Sequence, residues 1–445
     1  MNASLFLEYI DKYFRLVVGK ITEKFNDAKQ EQPLLHKSML TEEYSADLTW
    51  GSTELNNSVV AADVVALDSS LPLKSRAKIG NASGKLPKLG LKMRKGEKLI
   101  SDINVMIARG TDEATIAAKI FDDTTKVIKS VDVRTEIMFL EGLSTGVCLV
   151  DSDEDNTGVG IRVDFGYKDE NKFACLSKPW GTTGETPQDD VRQLFDKAAE
   201  DGNSISHVYL SKRYLDLFRH SEQGKLLVAN YNNVVITDKA LLPVPSRTTF
   251  LEALSDEYGA TFHYVNSVFR VELADGTMKK VVPWKETNVV GIPSENVGRL
   301  VYGTLAEETN PVNAVNYQKS GSHILVSKYS KTDPLEEFTA AQSLCLPVID
   351  GADSIYVLAA DEKWLNVDTS PLSFPKSASS REIAVSAKGT ISATSSAAWL
   401  TLTVASGKVT AAAAANTGEA RSATITISDG KGHTAVIEAT QAANA

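Results

Sequence analysis

The sequence is poor in the residues that chemistry needs. Its 445 residues hold three cysteines and six histidines. Cys148, Cys175 and Cys345 are odd in number, far apart and in no metal-binding spacing. They read as three small apolar side chains in a reducing compartment. His36, His207, His220, His263, His323 and His433 are scattered, with no two at ligand spacing, so no metal is expected. There is no P-loop and no dinucleotide fingerprint, so no cofactor is expected. The first apolar stretch, MNASLFLEYIDKYFRL, contains Glu8 and Asp11 and lacks a basic leader, which predicts neither a signal peptide nor a membrane span. Positive charge is scarce too: 57 acidic against 47 basic residues leave a net charge of −10. That disfavours a general grip on nucleic acid, which needs a positive surface to displace counterions.

Three letter-level matches to active sites dissolve on inspection. Gly142-Leu-Ser144-Thr-Gly146 spells the G-x-S-x-G nucleophile elbow, but that elbow follows a strand and opens a helix. Here it closes a helical pattern and opens a strand. Asp151, Asp153 and Asp155 match the start of a calcium loop, yet Asn156 stands where glycine is needed and Arg162 where glutamate is needed. A weak surface cation fits there, an EF-hand does not. Glu336 and Glu337 are neighbours in a chain with 57 acids and carry no message about a carboxylate dyad. The expectation is no catalytic residue and no enzyme.

What is present is long and architectural. At 445 residues with 42% hydrophobic content, two or three soluble domains are expected. Residues 111–142 form one helical pattern: Thr111 as cap, Asp112 and Glu113 on the dipole, Gly142 or Gly146 as stop. Ile116, Ile120, Val127, Val131 and Met138 make a single stripe, broken around residues 122–125. This predicts a rod of about 45 Å with one narrow apolar face, lying on the surface of something larger. Residues 4–29 predict an amphipathic helix with Phe6, Ile10, Phe14, Val17, Ile21 and Phe25 on one face, whose partner is either this chain or a neighbour. Residues 30–58 have no sustained period and read as an extended arm.

Residues 71–98 depart from the acidic background. They carry nine basic residues, Lys74, Arg76, Lys78, Lys85, Lys88, Lys92, Arg94, Lys95 and Lys98, and one acid, Glu97. Gly80, Gly84, Gly90, Pro72 and Pro87 break any helix, so the reading is a hairpin-like excursion. Docking onto an acidic surface of a neighbouring subunit is the leading reading, ahead of a solvated loop. Contact with nucleic acid is weaker, since no aromatic interleaves the charges. Beyond the rod come strands at 147–150 and 160–165 and a helix opened by Thr186 and Pro187 and stopped by Gly202. A strand at 205–210 and a short helix lead into a β-rich stretch with a turn at 274–277. From about 365 Ser, Thr and Ala dominate and strands alternate, as at Ile383/Val385 and Ile425/Ile427. This tail holds six basic and four acidic residues from 371 onward, so the acidity belongs to the rest.

The order of these pieces resembles the major capsid proteins of tailed phages, of the lambda-like capsid protein E kind. The matching runs are LPKLGLKMRKGEKLISDINVM (86–106), RTEIMFLEGLSTG (134–146), VDFGY (163–167) and Trp180 before TPQDDVRQLFDKAA (186–199). VVGIPSENVGRLVYGTLAEE (289–308) and SGSHILVSKYSKTDPLEEFTAAQSLCLPVI (320–349) follow in the same order. The tail resembles a BACON domain, an immunoglobulin-like sandwich, through SPLSFP (370–375), Ala398-Trp399-Leu400, Ser406-Gly407, Asn416-Thr417, Arg421 and Gln441.

The resemblance implies an α+β tailed-phage capsid fold, with N-arm, extended loop, spine helix, peripheral and axial domains, followed by an all-β sandwich. The implied layout is N-terminal helix and arm 1–57, basic extended loop 58–103, capsid body 104–364 and sandwich 365–445. It implies a shell subunit that associates with itself as hexamers and pentamers into the icosahedral head of a virion, assembled in the host bacterial cytoplasm. Portal, scaffold or protease proteins are further expected partners, and packaged double-stranded DNA is met only by non-specific contact. Contacts between subunits are expected from Lys74, Arg76, Lys78, Lys85, Lys88, Lys92, Arg94 and Lys95. The BACON family is associated with carbohydrate, which makes Trp399 a candidate glycan contact, although a sandwich usually buries its one tryptophan. A carbohydrate-binding adhesin and a cellular nanocompartment shell are the alternatives.

Overall fold

Helix caps and hydrophobic periodicity place most elements of the protein, a computed structural model that describes residues 2–25, 34–51, 83–150, 160–234, 238, 241–273, 275–387, 389–430 and 432–443. The chain divides into two units. The first holds residues 1–171, 195–213 and 254–357, and the second holds 172–194, 214–253 and 358–445.

The first unit is organised on the spine helix, Glu113–Thr145, which at 33 residues runs about 50 Å. Asp112, one residue after the expected cap, accepts the Thr115 amide and opens it, and Gly146 closes it at φ +81. A Cβ at Gly146 would fall 2.7 Å from the Tyr167 ring, and one at Gly142 would fall 2.6 Å from Phe165. Both glycines let the hairpin Val147–Val150/Ile161–Asp164 fold back against the helix end. Ser144 is fully buried there. It donates to Glu141 O at 3.2 Å and accepts from Lys285 N at 3.0 Å, so the serine of the G-x-S-x-G letters is a helix-end lock.

The spine is not a surface rod with one narrow stripe. From Thr135 to Leu140 six consecutive residues are buried, so the helix is enclosed on all sides over its last third. Sequence periodicity gives a stripe because it treats the helix's charged residues as solvent-facing. Several of them are buried and paired instead.

A six-stranded sheet packs on the spine. The long strand Leu335–Ile349 is its axis, with Ile324–Thr332 and then Asn316–Ser320 on one side. On the other side two strands lie end to end: Lys88–Lys95 pairs with residues 337–344 and Gly298–Gly303 with 344–349. Leu40–Tyr44 continues the sheet parallel to Gly298–Gly303. The expected arm of residues 30–58 is therefore corrected. Residues 35–44 are a short helix, Leu35–Met39, and a sheet strand, because Met39 and Leu40 are buried in the core. The second half of the expected basic loop of 58–103 has regular structure as well. Residues 88–95 are a sheet strand and Glu97–Ala108 a helix held by Ile100 and Ile103.

The arm helix, Leu7–Phe25, finds its partner in this chain. Phe6, Ile10, Phe14, Val18 and Ile21 are buried, and Phe14 stacks on Phe121 of the spine at 6.0 Å. Lys12 pairs with Glu113 at 2.7 Å and Thr22 meets Ser320 at 2.7 Å, pinning the helix at two points.

In the second unit the tail forms two four-stranded sheets. One holds Leu365–Val367, Ser379–Ala387, Lys408–Ala413 and Leu400–Ala405. The other holds Leu372–Phe374, Thr434–Gln441, Arg421–Ser428 and Ser392–Ser395. Ile383, Val385, Val409, Ala411, Ile425, Ile427, Ile437 and Ala439 alternate inward and make its core. The SPLSFP run supplies a strand, as the resemblance implied. Trp364, just before the sandwich, stacks on His433 at 5.0 Å and donates to Gln193 at 2.8 Å, so the joint within this unit is packed.

Candidate functional site

Three clusters of charged residues surround the spine and the sheet. The first is the basic strand Lys88–Lys95. Strand alternation splits its charges between two faces. Lys95 turns toward the spine, is 4% exposed, and pairs with Asp122 and, at 2.7 Å, with Asp123. Burial opposes ionisation of Asp123, but the bonds and charges of Lys95 and Lys126 together outweigh it and hold that carboxyl below its usual range. Lys95 is thus a tie within the chain. Arg94 is exposed but bonds Glu336 at 2.6 Å. Lys92 lies 5.0 Å over the Phe338 ring, and Lys88 and Lys85 are exposed or nearly so. Lys74, Arg76 and Lys78 lie outside the described residues, as do Asp151, Asp153 and Asp155.

The outward face of this strand and its neighbours forms a trough of about 490 Å³. Register puts Lys92, Ala340, Ser327 and Tyr317 in one row across the sheet. Arg94, Phe338 and Tyr329 make the next row, where the two rings stack at 5.3 Å. Gln342, bonded to Glu307 at 2.7 Å, closes the opposite side. Small side chains along one row between larger ones make the depression, with amines at one end and tyrosines at the other.

The second cluster clips the arm to the spine. Glu136, 0% exposed, accepts the backbone N–H groups of Leu35 and His36 at 2.9 Å each and meets His36 Nδ1 at 2.6 Å. One turn earlier Asp132 bonds Lys37 at 2.8 Å. A carboxylate at the start of the Leu35–Met39 helix satisfies donors that the helix leaves open.

The third cluster holds the N-terminal residues. Lys328 is fully buried, donates to Thr339 Oγ1 at 2.8 Å and lies 5.5 Å from the Phe121 ring. Burial pulls its amine down from 10.5 to about 8. Glu337 is buried beside it, and burial raises its carboxyl above the usual range. It accepts from Ser4 Oγ and from Leu5 N, the latter at 3.1 Å, while Asn2 bridges to Ser330. Sequence reasoning does not single out Glu136, Asp132, Lys328 or Glu337. The only signal is a charge standing inside an apolar pattern, as in HILVSKYS.

In the second unit Asp190, expected on a helix dipole, is instead fully buried. It accepts Leu176 N at 2.7 Å and Trp180 Nε1 at 2.8 Å, and burial pushes its carboxyl up to about 6. Trp399 is half-buried, edge-on to Phe374 at 6.4 Å, with the Arg421 guanidinium 4.7 Å over its ring. His207 and His263, 56 residues apart, meet on adjacent parallel strands with ring nitrogens 3.1 Å apart. Among the described residues no group of three or more His, Cys, Asp or Glu could hold a metal. No described helix is long and apolar enough to cross a membrane. The three cysteines are buried, and burial raises their thiols.

These arrangements tie segments together and shape a surface. The family model for phage major capsid protein E matches residues 18–359. A second model, BACON, described as a binding domain, matches residues 389–442. A phage-related protein from Bordetella bronchiseptica RB50 is similar at 12% identity, covering 81% of this chain and 98% of that one, with a TM-score of 0.44. A chain of the bacteriophage PhiM1 mature capsid is similar at 10% identity, covering 75% and 89%, with a TM-score of 0.38. A chain of the SrpI encapsulin complex of Synechococcus elongatus PCC 7942 is similar at 10% identity, covering 76% and 90%, with a TM-score of 0.34. No curated protein sequence matches. The family model spans more than three-quarters of the chain, and its family is structural, not enzymatic. The chain belongs to the phage major capsid protein E family and carries a BACON domain at residues 389–442.

Proposed function

We propose that this capsid shell protein forms the icosahedral head of a tailed bacteriophage from hexamers and pentamers of itself, around double-stranded DNA. The single observation that carries the reading is the family match over residues 18–359, joined to a fold whose buried charges serve to fasten its arm and sheet. The head is assembled in the host cytoplasm with portal, scaffold or protease partners. Shells of many subunits need only weak individual contacts, because simultaneous engagement of several neighbours supplies avidity. A net charge of −10 suits an inner wall that holds DNA loosely enough to release it. The BACON domain faces outward and meets glycans, with the half-buried Trp399 and Arg421 at its candidate contact.

The contact between subunits runs through Lys85, Lys88 and Lys92 of the basic strand region, which are not consumed by pairing with a carboxylate in the described residues. Lys74, Arg76 and Lys78 belong to the same contact. Purified chain, with scaffold or protease supplied where needed, is expected to give closed shells by negative-stain microscopy. Lys85→Glu, Lys88→Glu and Lys92→Glu together are expected to abolish shells while leaving the thermal melt of the subunit unchanged. Normal shells from that triple variant would remove the contact. Shells are also expected to be retained on mucin, and those truncated at residue 364 to pass through; equal retention of both would leave the tail without a glycan role.

A further inference from the structure

We propose that His207 and His263 form an acid-operated latch: a hydrogen held between their facing ring nitrogens fastens the edge strand Thr261–Val265 to its neighbour His207–Ser211, and protonation of both rings unfastens it. The latch belongs to the single subunit, whatever that subunit assembles into. Among the described residues Thr261–Val265 is the last strand of its sheet and pairs, in parallel, with His207–Ser211. A strand held from one side opens at lower cost than one held from both. Phe262 and Val265 are buried on it, and the His263 ring stacks on Tyr209 at 4.7 Å. The polar tie across the two strands is His207 Nδ1 to His263 Nε2 at 3.1 Å.

The contact has room for a proton and for nothing larger. The ring centres lie 5.4 Å apart, longer than the nitrogen separation by about two ring radii, so the two nitrogens point at each other. A metal in line between them would need two bonds of about 2.0–2.1 Å, more than the 3.1 Å present. One neutral ring therefore donates its N–H and the other accepts with a lone pair. A first proton goes to the outer nitrogen of the donating ring and strengthens the bond, because the donor is then charged. A second has to go to the accepting nitrogen itself. Two N–H groups would then meet head-on, with like charges on adjacent strands. Both rings are half-buried, so solvent ions screen that repulsion little.

Burial and the His207 charge hold His263 below the ordinary 6.5, with the Glu295 carboxylate opposing them. Just below 6.5 the unfolded chain therefore binds more protons than the folded one, and the stability contributed by this group falls as the pH drops through that region. Tyr209 faces the same pair and stays neutral, since burial pushes its hydroxyl up to about 12.

The test is amide and histidine C2 hydrogen exchange of the full chain, read by mass spectrometry between about pH 7 and about pH 4.5. In wild type, His207 and His263 are expected to titrate as a coupled pair, the second proton binding about tenfold more weakly than the first. Amides of residues 261–265 are expected to exchange about tenfold faster, after correction for the intrinsic rate, once the second proton is bound. His207→Phe and His263→Phe each keep a ring in place and remove one of the two charges, so each is expected to hold the strand closed at the acid end. In the His207→Phe chain the midpoint of His263 is expected to move up. Thermal melts at neutral pH confirm folding, and either folded variant suffices for the comparison. Equal acid opening in wild type and a folded variant would overturn the latch. Independent, coinciding midpoints for the two histidines in wild type would overturn it too, as would a wild-type strand that stays closed after both rings are charged.

Discussion

Replacing Glu136 with alanine is expected to lower the melting temperature of the subunit by about 10 °C and to free residues 34–44 for proteolysis. The carboxylate is wholly buried and takes three donors: Leu35 N, His36 N and His36 Nδ1. Alanine leaves all three without an acceptor where water cannot reach, at a cost of about 3–5 kcal/mol. About 2–4 °C is lost per kcal/mol in a domain of this size class. The loss is directed, because the donors belong to the arm and the acceptor to the spine. Glu136→Gln keeps one accepting oxygen and is expected to cost less than half as much. Limited proteolysis with mass mapping reads the result. A Glu136→Ala chain that melts like wild type with its arm protected would show that the clip holds nothing.

Lys328→Met is expected to remove a rise in stability between pH 8 and 10.5. The sign follows from the direction of the shift. The folded state holds the amine near 8, while the unfolded chain titrates near 10.5. Between those values the unfolded state binds one more proton, so stability from this group increases with pH across the window and its burial cost is fully present below it. The full difference is about 3 kcal/mol. Other groups oppose it: the buried tyrosines and thiols have raised values, so they lose stability as pH climbs. The prediction therefore concerns the difference between two curves. Urea denaturation of wild type and Lys328→Met from pH 7 to 10.5 is expected to show the wild type gaining on the variant. Parallel curves would mean that Lys328 is not the neutralising group. Glu337, Lys95, Asp122 and Asp123 face the same amine and move with it, so the size of the gain is set by the cluster.

At pH 7 the same substitution is expected to be close to neutral. Methionine fills a similar volume and relieves the desolvation of the amine, which offsets the bond lost to Thr339. What changes is attachment. Glu337 loses the positive charge beside it, while Ser4 and Leu5 still require its carboxylate. The N-terminal residues and the sheet are thus joined through a buried pair whose charge state responds to mild alkali.

Much of the architecture is legible in the order of residues alone. The spine helix, the arm helix, the helix Pro187–Glu200 and the strands of the tail follow from caps, dipoles and periods of 3.6 or 2, all of which act within a few residues. The order of the parts carried the family. The sequence by itself thus determined the spine, the arm helix, the helix Pro187–Glu200 and the alternating strands of the tail, and offered no catalyst in a recognised spacing. Only the tertiary structure decided where the charges go. Lys95 finds Asp123 28 residues away, His36 finds Glu136 at 100 and Ser4 finds Glu337 at 333. A lone sequence carries no record of such distances, because any charge in a helix or strand reads first as solvent-facing. Pairing in the interior reverses that reading. It turned the surface rod into a core helix and half of the basic loop into a sheet edge with one face inward and one outward.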